Sequence, residues 1–119
     1  MNQIKLKRVY ELAEESDGFR VLVDRLWPRG IKKENLLYDL WEKDITPSNQ
    51  LRSWFHVDPT NRWQEFRGLY TQELEHSKSM GNFIQEIQKH PVVTFLFASK
   101  NTTHTHAMVL KDFVEHRMA

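Results

Sequence analysis

Asp24-Arg25-Leu26-Trp27-Pro28-Arg29-Gly30 gathers two arginines, an indole, a proline and a glycine directly after the strand-like run Arg20-Val21-Leu22-Val23. Arginine offers a planar fork of donors matched to carboxylate or phosphate. Proline fixes φ, and glycine allows backbone conformations that other residues resist. The loop reads as a rigid, positively charged rim beside an aromatic plate, and the chemistry it implies is capture of an anion. A second stretch, Ser99-Lys100-Asn101-Thr102-Thr103-His104, runs from an apolar strand pattern into a helix start. Hydroxyls, a lysine and the free N–H groups of a helix N-terminus make such a stretch an anion site as well. The competing readings use the same groups. Thr102, Thr103 or Thr105 could simply cap the helix, Ser99 could satisfy backbone groups, and Arg25 and Arg29 could pair internally with Asp24, Asp39 or Asp44.

Other side chains join this set. Ser48 and Arg52 lie one helical turn apart on one face; Ser48 sits where its hydroxyl would bind backbone, so Arg52 is the better ligand candidate. Trp27, Trp41 and Trp54 could stack on a ring, with ordinary packing as the alternative. Ser99 and His106 could form a nucleophile and its general base, although no Gly-x-Ser-x-Gly elbow surrounds the serine. His104-Thr105-His106 invites a metal, but two histidines without a carboxylate pair make a poor site, and His56, His76, His90 and His116 are scattered. No metal and no cofactor are expected, and the glycine-rich phosphate loop is absent. The candidates are therefore His106 and Ser99 for catalysis, and Arg25, Trp27, Arg29, Arg52, Lys100 and Asn101 for binding.

The elements that position them follow from periodicity. Ile4, Leu6 and Val9 alternate with lysines and predict a first strand; Asp17-Gly18 is a turn pair. Val21-Leu22-Val23 predicts a short buried strand, Lys33 to Tyr38 a short helical turn, and Asp39 to Lys43 either a helix or a short strand or turn around Leu40 and Trp41. Thr46 is expected to cap a helix with Pro47 at its first position and Leu51, Trp54 and Phe55 as its apolar stripe. A second helix begins at Asp58-Pro59-Thr60 and carries Trp63, Phe66, Tyr70 and Leu74. Gly81 is expected to break or bend the pattern before Phe83, Ile84 and Ile87. Val92 to Ala98 predicts a central strand covered on both faces, and Ala107, Val109, Leu110, Phe113 and Val114 a closing helix. These patterns predict one α/β domain over residues 1–119, a small, mostly parallel sheet flanked by helices. In such sheets ligands bind beyond the carboxyl ends of the strands, where both loaded loops lie.

The totals narrow the classes. A chain of 119 residues with 28% charged side chains and a mean hydropathy of −0.65 fits a soluble domain with one core. No apolar run approaches the ~20 residues that span a bilayer, the first residues lack the apolar core of a secretory signal, and a cytoplasmic home is the default. The absence of cysteine excludes disulfides and thiol nucleophiles. A net charge of +1 argues against a protein held to nucleic acid by bulk charge. Lys5, Lys7, Arg8, Arg20, Arg25, Arg29, Lys32 and Lys33 nevertheless load the first third, so a nucleic-acid-binding module using this region and Trp27 is the alternative to a small anionic ligand. Oligomeric state is not encoded in these patterns.

Lys7-Arg8-Val9-Tyr10, the run Val21 to Gly30, Trp41, Thr46-Pro47-Ser48, Leu51-Arg52, Trp63, Phe66, Tyr70, Glu73-Leu74 and Ser99-Lys100-Asn101 together resemble the YeaO-like branch of the bacterial family called domain of unknown function 488. The resemblance covers essentially the whole chain. It implies a compact α/β fold of bacterial cytoplasm and brings no activity with it. Other branches of that family carry a cysteine after the strand corresponding to Val92–Ala98 and a Cys-His-Arg motif at the next helix start. Here Ser99 stands near the first position and Thr105-His106-Ala107 at the second. A thiol mechanism therefore does not carry over, and a shared activity would use His106, the basic groups or the loop backbone, as in hydrolysis or group transfer on a phosphorylated or nucleotide-like substrate.

Overall fold

The computed structural model describes residues 2–119. Strands β1 (Gln3–Arg8), β2 (Phe19–Leu22), β3 (Leu40–Trp41) and β4 (Val92–Phe97) form one four-stranded sheet in the order β1-β4-β2-β3. Every ladder in it is parallel. The apolar run of β4 takes a central place, as its composition predicts, with Ile4 opposite Val93 on one side and Val21 opposite Phe95 on the other.

Side chains of β4 alternate between two unequal layers. Val93, Phe95 and Phe97 face the main core, built with α1 (Asn49–Val57), α2 (Pro59–Glu75), α3 (Met80–Gln88) and α4 (His106–Met118). Leu96 points the other way, into a small cluster with Val9, Leu22 and Leu36, against which Trp27, Ile31, Trp41 and Ala98 pack. Both faces of the sheet are covered, but helices supply only the larger layer. The second face is roofed by the β2–β3 connection, which includes a 3₁₀ turn at Lys33–Asn35.

Two local expectations are corrected. Thr46 does not cap α1: its hydroxyl donates to Lys43 O, and Ser48 is the cap, accepting from Leu51 N–H at 3.2 Å. Glu73 of α2 selects this cap by receiving Ser48 N–H at 2.9 Å and the Ser48 hydroxyl at 2.7 Å. Gly81 is not the break between helices. It lies within the first turn of α3, and the chain turns at His76–Ser79. Asp58 caps α2 with Pro59 at its start, as read from the sequence.

A buried ionic cluster holds the β1–β2 connection. Asp17, 2% exposed, accepts from Lys7 Nζ at 2.9 Å and from Arg20, while its own carbonyl accepts the hydroxyl of buried Thr94. Burial alone would raise the Asp17 carboxyl, but hydrogen bonds from Lys7, the Glu14 N–H and Arg20 outweigh it and hold it below its ordinary 3.8. Its contribution to stability is therefore complete above that value and is lost as pH falls through the depressed one.

Gly18 closes this connection at φ 65°, and a Cβ there would lie 2.3 Å from Val92 O. Gly30 ends the arginine loop at φ 79° with open space around it. Urea denaturation is expected to show Gly18→Ala losing about 2–4 kcal/mol and Gly30→Ala about 1 kcal/mol, because only the first adds a clash with fixed backbone to the strained φ.

Candidate functional site

The segments leaving the carboxyl ends of β1, β2 and β4 meet around one cavity of about 530 Å³. The candidates named for catalysis and binding line it: Arg25, Trp27, Arg29, Arg52, Ser99, Lys100, Asn101 and His106; Ser48, Trp41 and Trp54 do not. His56 and His104 add imidazoles, and Asp24 is the only carboxylate among the described lining residues.

Asp24 joins the two loops. Its Oδ2 accepts from Ala98 N–H at 2.9 Å, and its backbone carbonyl accepts from Trp41 Nε1 at 2.7 Å. Its Oδ1 lies 3.1 Å from His106 Nε2, which also lies 2.9 Å from Val23 O. A nitrogen facing two acceptors must carry hydrogen, so Nε2 is the donor and Nδ1 is the nitrogen left to exchange a proton. Further anchors set the loops. Arg8 donates to Ser99 O at 2.9 Å and to Ala98 O at 3.0 Å; Tyr10 donates its hydroxyl to Arg29 O at 3.0 Å. Trp27 donates Nε1 to Ile31 O at 2.6 Å and meets Trp41 edge-on, so it roots in the small cluster while walling the cavity.

The arginines are not held in internal ion pairs. Among the described residues, Arg25, Arg29 and Arg52 have no carboxylate oxygen within 4.0 Å. Arg25 Nε, Arg52 Nε and the Oδ1 of Asp24 are buried without a hydrogen-bond partner, while Arg52 Nη2 donates to Asn49 Oδ1 at 3.3 Å. The acids that could have neutralised Arg25 and Arg29 are engaged elsewhere or apart from them: Asp24 as above, and Asp39 with the Arg20 N–H. Partial burial first, then the positive fields of Arg52 and His106, hold the His56 imidazole below its ordinary 6.5. Among the described lining residues the cations Arg25, Arg29, Arg52 and Lys100 stand against the single carboxylate of Asp24.

Ser99 and His106 share the cavity but no hydrogen bond joins them. The Ser99 hydroxyl accepts from Asn101 N–H at 3.2 Å, and His106 Nε2 is taken by Val23 and Asp24. Asn101 Oδ1 accepts from His104 N–H at 2.8 Å and Thr103 N–H at 3.0 Å, which leaves its amide nitrogen for anything in the cavity. Thr105 is the helix cap. The basic first third is also largely occupied: Lys5, Lys7, Arg8 and Arg20 each donate to carbonyls or carboxylates of the chain.

Sequence reasoning missed Tyr10, His56 and His104. Tyr10 follows the end of β1, so the same strand-end rule that selected Arg25 would have found it. His56 stands one helical turn after Arg52, the spacing that places two side chains on one face. His104 was weighed only as a metal ligand.

A parallel α/β sheet with a cation-lined cavity across the carboxyl ends of its strands is the class of protein that this geometry defines. The chain belongs to the family described as the inactive DUF488-N3 subclade, which matches residues 3–119. It is 49% identical over 111 residues to the uncharacterised protein YeaO of Escherichia coli K12, covering 93% of this chain and 96% of that one. It is 37% identical over 115 residues to the uncharacterised proteins Mb3100c of Mycobacterium bovis and Rv3073c of Mycobacterium tuberculosis H37Rv, covering 97% of this chain and 96% of each. No solved structure matches it.

Asp24→Ala removes the acceptor of Ala98 N–H and the carboxylate that lies 3.1 Å from His106 Nε2 together. Denaturant titration is expected to show a loss of about 2–4 kcal/mol at neutral pH, well beyond the cost of an ordinary surface substitution.

Proposed function

We propose that this protein binds a small anionic ligand, bearing a phosphate or carboxylate group, between the Asp24–Gly30 and Ser99–His106 loops. The observation that carries the reading is that Arg25 and Arg52 have no carboxylate partner among the described residues and keep their Nε atoms buried at the cavity without a hydrogen bond. Leaving a donor unsatisfied costs about 1–3 kcal/mol, and more for a charged group. That Lys7 and Arg20 are neutralised on Asp17 while these two arginines lack a carboxylate supports a charge supplied from outside. Lys100, Arg29 and the Asn101 amide stand at the same cavity as further donors. Binding rather than turnover is favoured. The Ser99 hydroxyl is engaged within its own loop and shares no hydrogen bond with His106, whose Nε2 is held by Val23 O, and the family's own description as inactive agrees with that arrangement. Cytoplasmic work is part of the same proposal.

The test is calorimetry and thermal shift with sulfate and with inorganic phosphate at low and high sodium chloride. Wild type is expected to bind with affinity that falls as salt rises, gaining about 2.7 kcal/mol of stability at ~100 times the dissociation constant. Arg52→Gln is expected to weaken binding at least ~10-fold, the loss of a charge-assisted hydrogen bond, while the free variant melts no lower than wild type. Undiminished anion binding in both Arg25→Gln and Arg52→Gln would refute the site. A salt-sensitive response to oligonucleotides alone would transfer the surface to nucleic acid.

The depressed His56 sets the sign of a pH dependence. In the free protein His56 resists protonation, so it withdraws stability as pH falls below 6.5, where the unfolded chain takes up the proton first. A bound anion reverses the local field and raises that imidazole, so binding takes up a proton. Sulfate, whose charge is constant here, is expected to bind several-fold more tightly at pH 5.5 than at pH 7.5. His56→Gln is expected to flatten the profile.

A further inference from the structure

Tyr10 is 48% exposed, yet it is not free to swing. Its hydroxyl is tied to Arg29 O at 3.0 Å, and the Arg8 guanidinium lies over its ring at 5.0 Å from the centroid. Arg8 is itself pinned to the Ser99 and Ala98 carbonyls. An exposed aromatic ring held at its tip, with a cation on one face and open surface remaining, is a preset stacking plate at the cavity rim.

The space beside it asks for a ligand larger than the anionic group alone. A water occupies roughly 30 Å³ of liquid, so a cavity of about 530 Å³ holds far more than a sulfate or phosphate ion. Much of the remaining wall is apolar: Leu26, 61% exposed, stands at the cavity with Tyr10, and Phe55 and Phe66 reach it from the core. We propose that Tyr10 stacks on an aromatic ring carried by the anionic ligand, so that the ligand class is a ring-bearing organic phosphate or carboxylate. This rests on the anion reading above and adds a residue and a chemical class to it. Aryl esters and nucleotides share the chemistry.

Calorimetry with two matched pairs separates them: phenyl phosphate against methyl phosphate, and adenosine monophosphate against ribose phosphate. Wild type is expected to prefer the ring-bearing member of at least one pair by ~10-fold or more, which is 1.4 kcal/mol, within the range of base-on-aromatic stacking. Whichever pair shows it names the source. Tyr10→Leu is expected to bring that ratio close to one; Tyr10→Phe, which keeps the ring and loses the hydroxyl tether to Arg29 O, retains most of it. Melting temperatures of both variants check that the fold is intact. No ring preference in either pair, with the ringless phosphates still lost in Arg52→Gln, overturns the proposal and leaves the anion site standing. Equal loss of both members in Tyr10→Leu also overturns it, since the residue would then only shape the loop. Failure of every phosphate to bind wild type removes the anion reading and this proposal together.

Discussion

At the carboxyl end of the sheet, β2 and β4 part company, and the Asp24 side chain spans the gap. It supplies Ala98 N–H with the acceptor that a continuing strand would have offered, and sets its second oxygen beside His106 at the start of α4. The last regular ladder contact before it is Val23 N–H to Leu96 O at 3.0 Å. One carboxylate thus fixes the divergence of two loops and the placement of a helix end. Everything proposed for the cavity depends on this. The arginines of one loop face the lysine and amide of the other only because the two are tied at their roots.

The molecule holds its charges in two opposite regimes. Around Asp17, buried cation and carboxylate are matched, and the cluster acts as a fastener for the β1–β2 connection. In the cavity the cations outnumber the single carboxylate of the described lining, and burial first, then the fields of Arg52 and His106, depress the His56 imidazole. The Nε atoms of Arg25 and Arg52 are buried there without a hydrogen-bond partner, and an unmade hydrogen bond to a charged group is costly. The aromatic anchors fit the same picture, since Trp27, Trp41 and Tyr10 spend their polar tips on loop carbonyls and stiffen the walls.

The strands and the long helix were legible because each is a local pattern: the apolar run Val92–Phe97, the alternation after Ile4, and the spacing of Trp63, Phe66, Tyr70 and Leu74. The errors fell where local patterns tie. Thr46 and Ser48 are both good caps around Pro47, and the choice was made by Glu73, 25 residues away from Ser48. Gly81 looks like a breaker in isolation, yet an exposed position in the first turn of a helix tolerates glycine, and the real turn uses Ser77 and Ser79. The one-sided helical layer was hidden as well. An apolar strand reveals that both faces are covered without saying whether helix or coil covers them.

For the site, residue type alone determined what chemistry was on offer: guanidinium, ammonium, hydroxyl and imidazole at two strand ends, with no thiol. It also placed them at the carboxyl edge of a parallel sheet, because strand period and loop composition are written locally. Which cations would remain free was decided only in three dimensions. Lys7 and Arg20 are no different in kind from Lys100 and Arg52, but β1 and β2 carry the first pair to Asp17, while α1 and the β4 loop carry the second to a common cavity. Pairing is a matter of distances between side chains far apart in sequence, and a charge's partner is set by where the backbone ends up rather than by its neighbours along the chain.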